Sequence, residues 1–433
     1  MQPRHRALKS RDLRTLAASP ILAPMASASD TVSSGRGAGD APVIGLVSAG
    51  HFVSHVYLLL LPPLFDLIRG DYGLTYQQIA LAVTGFNVVS AALQTPAGFL
   101  VDRWGAERLL IGGLLLGPAA LVVAALVPSY WALVGCYAVA GLANTVFHPS
   151  DYAILSHAVV SKRMGKAFSI HAFSGLLGTA AAPMTMWYAA SLWSWRGSLL
   201  VAAALGLIVA LALFVERRRL AVIPTRERTA RAAGDGGAGL RLLLTPAILR
   251  NLMFFMLLSL ATGGISSFSI VALGALWGTS HAVATSALTA FLFLSALGVL
   301  LGGVIADRTR HHTRVAAMGF AASAAIILIV GTVDLGAALL IFLMSVAGLL
   351  NGVIQPSRDM IVRAVTPAGS FGKVFGFVTT GFNIGGVISP LLYAWFMDHG
   401  EPRGVFLAVV GITLLSLLTV STTRTRRSVV AAE

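Results

Sequence analysis

Hydrophobic residues in this chain occur in long runs that short polar segments separate. Runs such as 109–127 and 196–215 approach the roughly 20 residues that an α-helix needs to cross the hydrocarbon core of a bilayer. The pattern predicts twelve membrane-spanning helices, each with boundaries good to a few residues. The predicted spans are 43–67, 76–101, 109–127, 130–158, 167–189, 196–215, 250–275, 281–306, 315–333, 336–364, 374–394 and 403–420. The predicted fold class is an all-α polytopic membrane protein.

Polar stretches interrupt this pattern and divide the chain. Residues 216–249 contain many arginines and a glycine-rich run, which predicts a cytoplasmic linker. Residues 1–42 lack the apolar region and cleavage site of a signal peptide, so we expect a disordered cytoplasmic tail, although a misassigned start codon explains the same composition. The predicted domains are the tail 1–42, an N-terminal six-helix bundle 43–215, the linker 216–249, a C-terminal six-helix bundle 250–420 and a cytoplasmic tail 421–433.

The two predicted bundles are repeats of one sequence. One constant shift along the chain aligns Gly141, Asn144, Pro149, Ser150, Gly165, Lys166, Gly178 and Pro183 with Gly348, Asn351, Pro356, Ser357, Gly372, Lys373, Gly385 and Pro390. Because each repeat contains an even number of spans, both repeats enter the membrane in the same orientation, related by an axis along the membrane normal. We therefore expect two parallel six-helix repeats that enclose a central cavity.

Composition and charge exclude a soluble protein. The chain is 56% hydrophobic and 11% charged, whereas soluble domains carry about 25% charged residues. Its formal net charge of +14 would indicate nucleic-acid binding in a soluble protein. With a cytoplasmic N-terminus, however, every Lys and Arg lies on the cytoplasmic side except Arg69, Arg196, Arg403 and the intramembrane Arg358. This positive-inside pattern predicts no nucleic-acid partner and a multi-pass protein of a bacterial-type inner (plasma) membrane, with both termini cytoplasmic.

The short loops after the second and eighth spans share a pattern of glycine followed by an Asp–Arg pair. Its residues are Gly98, Asp102, Arg103, Gly105 and Arg108 in the first loop, and Gly303, Asp307 and Arg308 in the second. The pattern resembles the cytoplasmic loop signature of the major facilitator superfamily. The resemblance implies the major facilitator fold, in which glycine permits close helix approach and the Asp–Arg pair acts as a gate between the halves. A plain topological anchor at a helix end remains the alternative.

Further motifs resemble the fosmidomycin-resistance branch of that superfamily. They are Gly50–His51–Phe52, Pro62–Pro63–Leu64, Gln94–Thr95–Pro96, Phe147–His148–Pro149 and Gly165–Lys166–Ala167. In addition, Gly175, Gly178 and Pro183 on span five resemble the glycine–proline signature of the family's antiporters. These resemblances imply proton-driven efflux of small, often anionic or drug-like compounds, as in drug resistance, and they leave the substrate open.

Polar and ionisable residues form stripes on three predicted spans. A charged residue at a helix centre costs about 2.5–3.5 kcal/mol on insertion scales, so each one is a functional candidate. The stripes are His51 and His55 on span one, Asn144, His148 and Asp151 on span four, and Asn351, Gln355 and Arg358 on span ten. Spacings of three or four residues place each set on one helix face, and we predict that these residues bind substrate or protons. Softer polar groups extend the predicted cavity: Asn87, Gln94, Ser266, Ser267, Ser269, Thr379, Thr380 and Asn383.

Asp151 and Arg358 occupy equivalent positions in the two repeats. The symmetry therefore predicts them at similar depth on opposite walls of the cavity, as a functional pair. Arg358 carries a permanent charge on a planar fork that suits a carboxylate or phosphonate, and Asp151 is suited to exchange the coupling proton. A permanent salt bridge that only docks the halves is the alternative.

The histidines offer a second set of titratable groups. His51 and His55 titrate near neutral pH, which suits a proton carrier or a substrate contact. Hydrogen-bonded packing is the alternative, and a transition-metal site with His148 is a smaller one, so we expect no bound metal. His171 on span five is a weaker candidate, because a single histidine in a span is more often a satisfied polar group.

The sequence thus predicts a secondary active transporter that exports a small organic compound by proton-coupled alternating access. A proton-coupled importer of small organic anions is the alternative, and an intramembrane metal-dependent enzyme is a remote one, so we expect no enzyme activity. A receptor is disfavoured because no soluble sensory domain is visible, and the lack of a phosphate-binding glycine loop excludes ATP as the direct energy source. The expected partners are the substrate, protons and the lipid bilayer, with no cofactor and a monomeric state.

Overall fold

The computed structural model describes residues 40–221, 241–367 and 371–421, which form helices and turns without a strand. In the first half the helices are α1 Asp40–Leu58, α2 Phe65–Tyr72, α3 Tyr76–Trp104, α4 Ala106–Leu126, α5 Tyr130–Asn144, α6 Phe147–Ala158, α7 Met164–Leu192, α8 Trp195–Val215 and α9 Arg217–Leu220. In the second half they are α10 Pro246–Trp277, α11 His281–Arg308, α12 His312–Thr332, α13 Ala337–Val365, α14 Phe371–Asp398 and α15 Pro402–Ser421.

Most of these helices are long and apolar enough to cross a membrane. Among the described residues 11 segments meet both conditions, and α5 and α6 together form one of them. The predicted span 167–189 lies in α7, whose 29 residues exceed a roughly 30 Å hydrocarbon core at about 1.5 Å per residue. Polar residues such as His171 and Thr179 lower its hydropathy below that of the others. All twelve predicted spans coincide with helices, and the all-α polytopic fold class is confirmed.

The first span ends earlier than the hydrophobic pattern predicts. Helix α1 stops at Leu58 rather than near residue 67, because Pro62 and Pro63 have no amide hydrogen and their rings obstruct a continuing helix. The chain instead forms a 3₁₀-helix at Pro62–Leu64 and then the short helix α2. This turn buries Phe65 completely between the two halves.

The predicted tails and linker lie largely outside the described residues, at 1–39, 222–240 and 422–433. At the described edges the boundaries differ from the prediction, since α1 already begins at Asp40 and α10 begins at Pro246. Residues 40–42 thus belong to the first helix and not to the tail. The reason is an ion pair, because the buried Asp40 Oδ2 lies 2.7 Å from Arg163 Nη2 in the turn before α7.

Two helix pairs join the halves. Helix α3 packs against α14, and α7 packs against α11. The internal repeat makes α3 equivalent to α11 and α7 equivalent to α14, so the two contacts are related by the pseudo-two-fold axis. The polar stripes on α5, α6 and α13 therefore face a space between these two contacts.

Glycines at a few positions allow helices to approach closely. A Cβ atom at Gly141 would meet the carbonyl oxygen of Phe86, and one at the equivalent Gly348 would meet that of Phe291. The same requirement applies between α1 and α7, where a Cβ atom at Gly175 would lie only 2.6 Å from Nε2 of His51. The face of α1 that carries His51 and His55 therefore packs directly against α7.

The halves are fastened at the end where α3 begins. Asp398, the last residue of α14, accepts hydrogen bonds from the backbone N–H groups of Tyr76 at 2.7 Å and Gln77 at 2.8 Å. These amides belong to the first turn of α3, where they have no partner within the helix, and the carboxylate also interacts favourably with the helix dipole.

Aromatic rings fill the space next to this contact. The fully buried Phe268 of α10 lies edge-on to Phe65 at a centroid distance of 5.4 Å. Its centroid is also 6.5 Å from that of Tyr76 and 6.3 Å from that of Tyr393. Residues from both halves thus close the protein at this end.

We expect Gly175→Ala to lower the thermal stability of the purified protein, because the added methyl group overlaps with His51 and touches His55. Overpacking of this kind costs about 1–3 kcal/mol. The matched control is Gly135→Ala within α5, where a Cβ atom would meet nothing within 4 Å. Equal melting temperatures for the two variants would contradict the close α1–α7 contact.

We expect Asp398→Ala to loosen the end where α3 begins, because the variant removes both hydrogen bonds that cross between the halves. A cysteine introduced by Ser266→Cys in a Cys136→Ser background reports the opening through labelling by a membrane-impermeant maleimide added on that side. Labelling should accelerate several-fold relative to Glu401→Ala, which removes an exposed carboxylate nearby. If both variants label at the same rate, Asp398 does not hold the halves together.

Candidate functional site

A cavity of about 700 Å³ lies between the halves, within the size range of small-molecule sites. Its polar lining comes from both halves: His55, Asn87, Ser90, Gln94, Asn144, His148, Tyr152 and Thr179 in the first, and Ser259, Thr262, Ser266, Ser267, Asn351, Gln355, Arg358, Thr379, Asn383 and Ser389 in the second. Most of the softer polar residues predicted from the sequence are present. Ser269 and Thr380 do not line it.

Two of the residues predicted to bind substrate or protons lie behind the cavity wall. His55, Asn144, His148, Asn351, Gln355 and Arg358 line the cavity, whereas His51 is 3% exposed and Asp151 is 0% exposed. Both buried groups sit in the first half, where α1, α6 and α7 meet. The two halves therefore present different surfaces to a ligand.

Four histidines of the first half form one group, called here the histidine cluster: His51, His55, His148 and His171. The ring of His51 is central, with centroid distances of 3.9 Å to His171, 4.5 Å to His55 and 5.1 Å to His148. His55 is oriented by Thr179, whose Oγ1 lies 2.9 Å from its Nδ1. His55 and His148 reach the cavity, and the other two rings lie deeper.

The carboxylate of Asp151 faces the histidine cluster. Its Oδ2 lies 3.5 Å from Nδ1 of His51 and 3.7 Å from Nε2 of His171. Both distances exceed those of a good hydrogen bond. The fully buried acid is thus surrounded by imidazole groups rather than by a permanent cation.

The predicted pair of Asp151 and Arg358 is not formed in this structure. Arg358 instead pairs with its sequence neighbour Asp359, whose Oδ1 lies 2.9 Å from both Nε and Nη2 of the guanidinium. The guanidinium carbon also lies 4.8 Å from the ring centroid of Phe255 and 5.3 Å from that of Phe382. The functional pair on opposite cavity walls therefore stays a prediction, since in this structure the acid and the base each lie next to groups of their own half.

The equivalent asparagines have a structural role in addition to lining the cavity. Asn144 donates a hydrogen bond to Ser90 Oγ at 2.9 Å, and Asn351 donates one to Ser295 Oγ at 3.2 Å. The two bonds tie α5 to α3 and α13 to α11. They therefore hold the polar stripes of α6 and α13 at corresponding positions in the two halves.

The predicted gate residues lie at the opposite end from Asp398. Asp102, Arg103, Asp307 and Arg308 are exposed, and among the described residues none of them forms an ion pair. Gly98 and Gly303 are half-buried, Gly105 has a positive φ of 98° between α3 and α4, and Arg108 Nε lies 3.8 Å from Glu107. The gating role therefore stays a prediction for a conformation other than this one.

Sequence reasoning underrated His171 and missed Tyr152, Thr179 and Asp359. The sequence places His171 one helical turn before Gly175 and therefore on the same face of the helix. In the structure α1 packs against this face. Tyr152 lies beside the cluster, with its ring centroid 5.7 Å from that of His171. The signal for Asp359 was its adjacency to an intramembrane arginine.

Comparison with known proteins places the chain in a family. The model of the Major Facilitator Superfamily matches residues 47–277 and 252–432. The fosmidomycin resistance protein of Escherichia coli (strain K12) is 24% identical over 87% of this chain and 92% of its own length. The probable sulfoacetate transporter SauU of Cupriavidus necator is also 24% identical, over 87% of this chain and 92% of its own length.

Solved structures share the fold. A bacterial homologue of the human lysosomal transporter Spinster, in an inward-facing and occupied conformation, has a TM-score of 0.73 at 13% identity and covers 88% of this chain and 96% of its own. The nucleoside transporter NupG has a TM-score of 0.68 at 16% identity, with 89% and 98% covered. The resemblance to the fosmidomycin-resistance branch is confirmed, and the chain belongs to the major facilitator superfamily as a multi-pass membrane transporter, not an enzyme.

Proposed function

We propose that this protein exports a small organic anion in exchange for protons, by alternating access of the central cavity to the two sides of the membrane. The observation that carries the proposal is that the two walls of the cavity present different chemical groups. The first half presents titratable groups next to a buried acid, and the second half presents one buried guanidinium, Arg358. Coupling requires that a ligand and a proton each have a site facing the same space.

Arg358 is the proposed anchor for the anion. Its side chain is buried, whereas the side chain of its partner Asp359 is 47% exposed. A carboxylate, sulfonate or phosphonate is able to replace Asp359 at the same two donor positions, because the guanidinium fork binds oxyanions in a bidentate manner. The rings of Phe255 and Phe382 keep the guanidinium in place and limit its hydration.

Asp151 and the histidine cluster are the proposed proton site. His55, His148 and Tyr152 line the cavity, while His51 and His171 stand between that wall and Asp151. The arrangement offers a chain of titratable groups from the cavity to the buried acid. An ionisable group at membrane depth is typical of proton relays in transporters.

Relatives support an anionic substrate and leave the direction open. The name of the fosmidomycin resistance protein favours export. The name of the probable sulfoacetate transporter gives no direction, so proton-coupled import of a small organic anion stays the second candidate function. We place both termini on the cytoplasmic side of a bacterial inner membrane, with the loops around Asp102 and Asp307 as the cytoplasmic gate. The protein acts as a monomer in this proposal, because each chain supplies both cavity walls.

The test of function uses purified protein in liposomes, with labelled fosmidomycin and sulfoacetate as probes. A proton exchanger accumulates the probe in vesicles with an acidic lumen, whereas a proton symporter accumulates it when the outer medium is acidic. Accumulation that ignores the pH gradient for both probes, in either direction, would overturn the proton-coupled mechanism.

We expect Arg358→Gln to weaken binding of the transported anion by about 10- to 100-fold, because a hydrogen bond to a charged group contributes about 1.5–3 kcal/mol. Asp359→Asn is the matched control, since it removes the competing internal partner of the same guanidinium. Its affinity should equal or exceed that of the parent protein. Binding is measured by calorimetry, and an Arg358→Gln variant with undiminished affinity would exclude the proposed anchor.

We expect Asp151→Asn to lose accumulation driven by a pH gradient while it retains substrate binding and exchange of labelled for unlabelled substrate. The amide has the shape of the protonated acid but releases no proton. The control is Asp334→Asn, which changes an exposed acid outside the cavity. Gradient-driven accumulation in Asp151→Asn at the parental level would show that another group carries the coupling proton.

A further inference from the structure

Several buried polar atoms of the histidine cluster have no partner among the described residues. Nδ1 of His51, both nitrogens of His171 and both carboxylate oxygens of Asp151 are buried and accept or donate no hydrogen bond there. Buried polar groups in proteins are nearly always satisfied, because an unpaired one costs about 1–3 kcal/mol and a charged one more. Five such atoms within one small space indicate that at least one atom of each residue contacts a bound partner.

The charges of the groups around Asp151 indicate what kind of partner binds there. Asp151 is 0% exposed, and among the described residues only His51 and His171 lie within ion-pair distance of it. These two imidazoles are able to present a lone pair, and within the described part of the chain no lysine or arginine lies within ion-pair distance of the carboxylate. A small cation satisfies every one of these groups at once.

The distances suit a transition-metal ion. One nitrogen from each of His51, His148 and His171 lies within 4.8 Å of the others. Asp151 Oδ2 lies 3.5 Å from Nδ1 of His51 and 3.7 Å from Nε2 of His171. Two ligands of a tetrahedral zinc ion with bond lengths of about 2.0–2.2 Å lie about 3.4 Å apart. The carboxylate is close to that distance from two imidazoles, whereas the histidine nitrogens have to approach one another by up to about 1.4 Å, which includes turning the stacked rings of His51 and His171.

We infer that His51, His148, His171 and Asp151 form a binding site for one divalent transition-metal ion of the Zn²⁺ type. Three imidazole nitrogens and one carboxylate oxygen are a donor set that such ions prefer. His148 lines the cavity and gives the ion its entry path. His55 is left out of the ligand set, because the three nitrogens that lie within 4.8 Å of one another belong to His51, His148 and His171.

The proximity of these donors depends on close packing of α1 against α7. A Cβ atom at Gly175 would lie 2.6 Å from Nε2 of His51, so glycine at this position lets the ring of His51 lie against α7, with Nδ1 near Asp151. The metal site uses residues of the proposed proton site. Metal binding itself requires neither the anion nor a pH gradient, so it is measured separately from transport.

The test uses the full-length protein in detergent, with its affinity tag removed and metals stripped by a chelator. Titration calorimetry with Zn²⁺ alone should show one site per chain. Co²⁺, added as a spectroscopic probe, should give the intense visible absorption of a four-coordinate site, which Zn²⁺ then abolishes. Asp151→Asn and His171→Gln should each weaken Zn²⁺ binding by at least about 10-fold.

The control is His399→Ala, which removes an exposed histidine just after the end of α14 whose Nδ1 lies 2.8 Å from the carbonyl oxygen of Trp395. It should bind Zn²⁺ like the parent protein. Melting curves without metal verify that both ligand variants fold. Zn²⁺ binding that is absent from the folded parent protein, or equally strong in Asp151→Asn and His171→Gln, would overturn the site. Transport that persists in the metal-free protein while Zn²⁺ fails to bind would leave the proposed function intact and reject only the metal site.

Discussion

The cost of keeping a carboxylate at membrane depth governs the arrangement of the first half. Asp151 is completely buried, and a charged group at a helix centre costs about 2.5–3.5 kcal/mol on insertion scales. The neighbouring helices therefore have to bring polar groups to it. Helix α1 supplies His51 and α7 supplies His171, and the helices approach closely because residues 175 and 178 are glycines. The histidine cluster, the first cavity wall and the α1–α7 contact form one structural unit.

The duplication gives the two halves the same helical framework but different ionisable residues. Asn144 and Asn351 make the same helix-to-helix hydrogen bond in their respective halves, so the framework that positions the stripes is conserved between the repeats. Further along each stripe, at equivalent positions, the first half has the acid Asp151 and the second half has the base Arg358. Arg358 pairs with its neighbour Asp359, whereas Asp151 faces the imidazoles of His51 and His171 without a hydrogen bond to either. Among the described residues neither group forms an ion pair across the two halves, which suits the proposed alternating-access mechanism.

The contacts between the halves differ between the two ends of the protein. Asp398 and the rings around Phe268 close the end where α3 begins, whereas the Asp–Arg pairs at the other end, around Asp102 and Asp307, are exposed. In the proposed alternating-access mechanism one set of contacts replaces the other. The contact at Asp398 consists of two hydrogen bonds to backbone amides, which suits an end that opens in that mechanism.

The sequence by itself determined the number of spans and the length of most of them, because apolar runs have to match the thickness of the hydrocarbon core. It also determined the duplication and most of the cavity lining, because spacings of three and four residues define a helix face. Only the tertiary structure decided which stripes meet. Helix rotation and the distance between helices depend on packing at single glycines such as Gly175, and neither is readable from spacing. For that reason symmetry paired Asp151 with Arg358, whereas the folded chain gives Asp151 to His51 and His171.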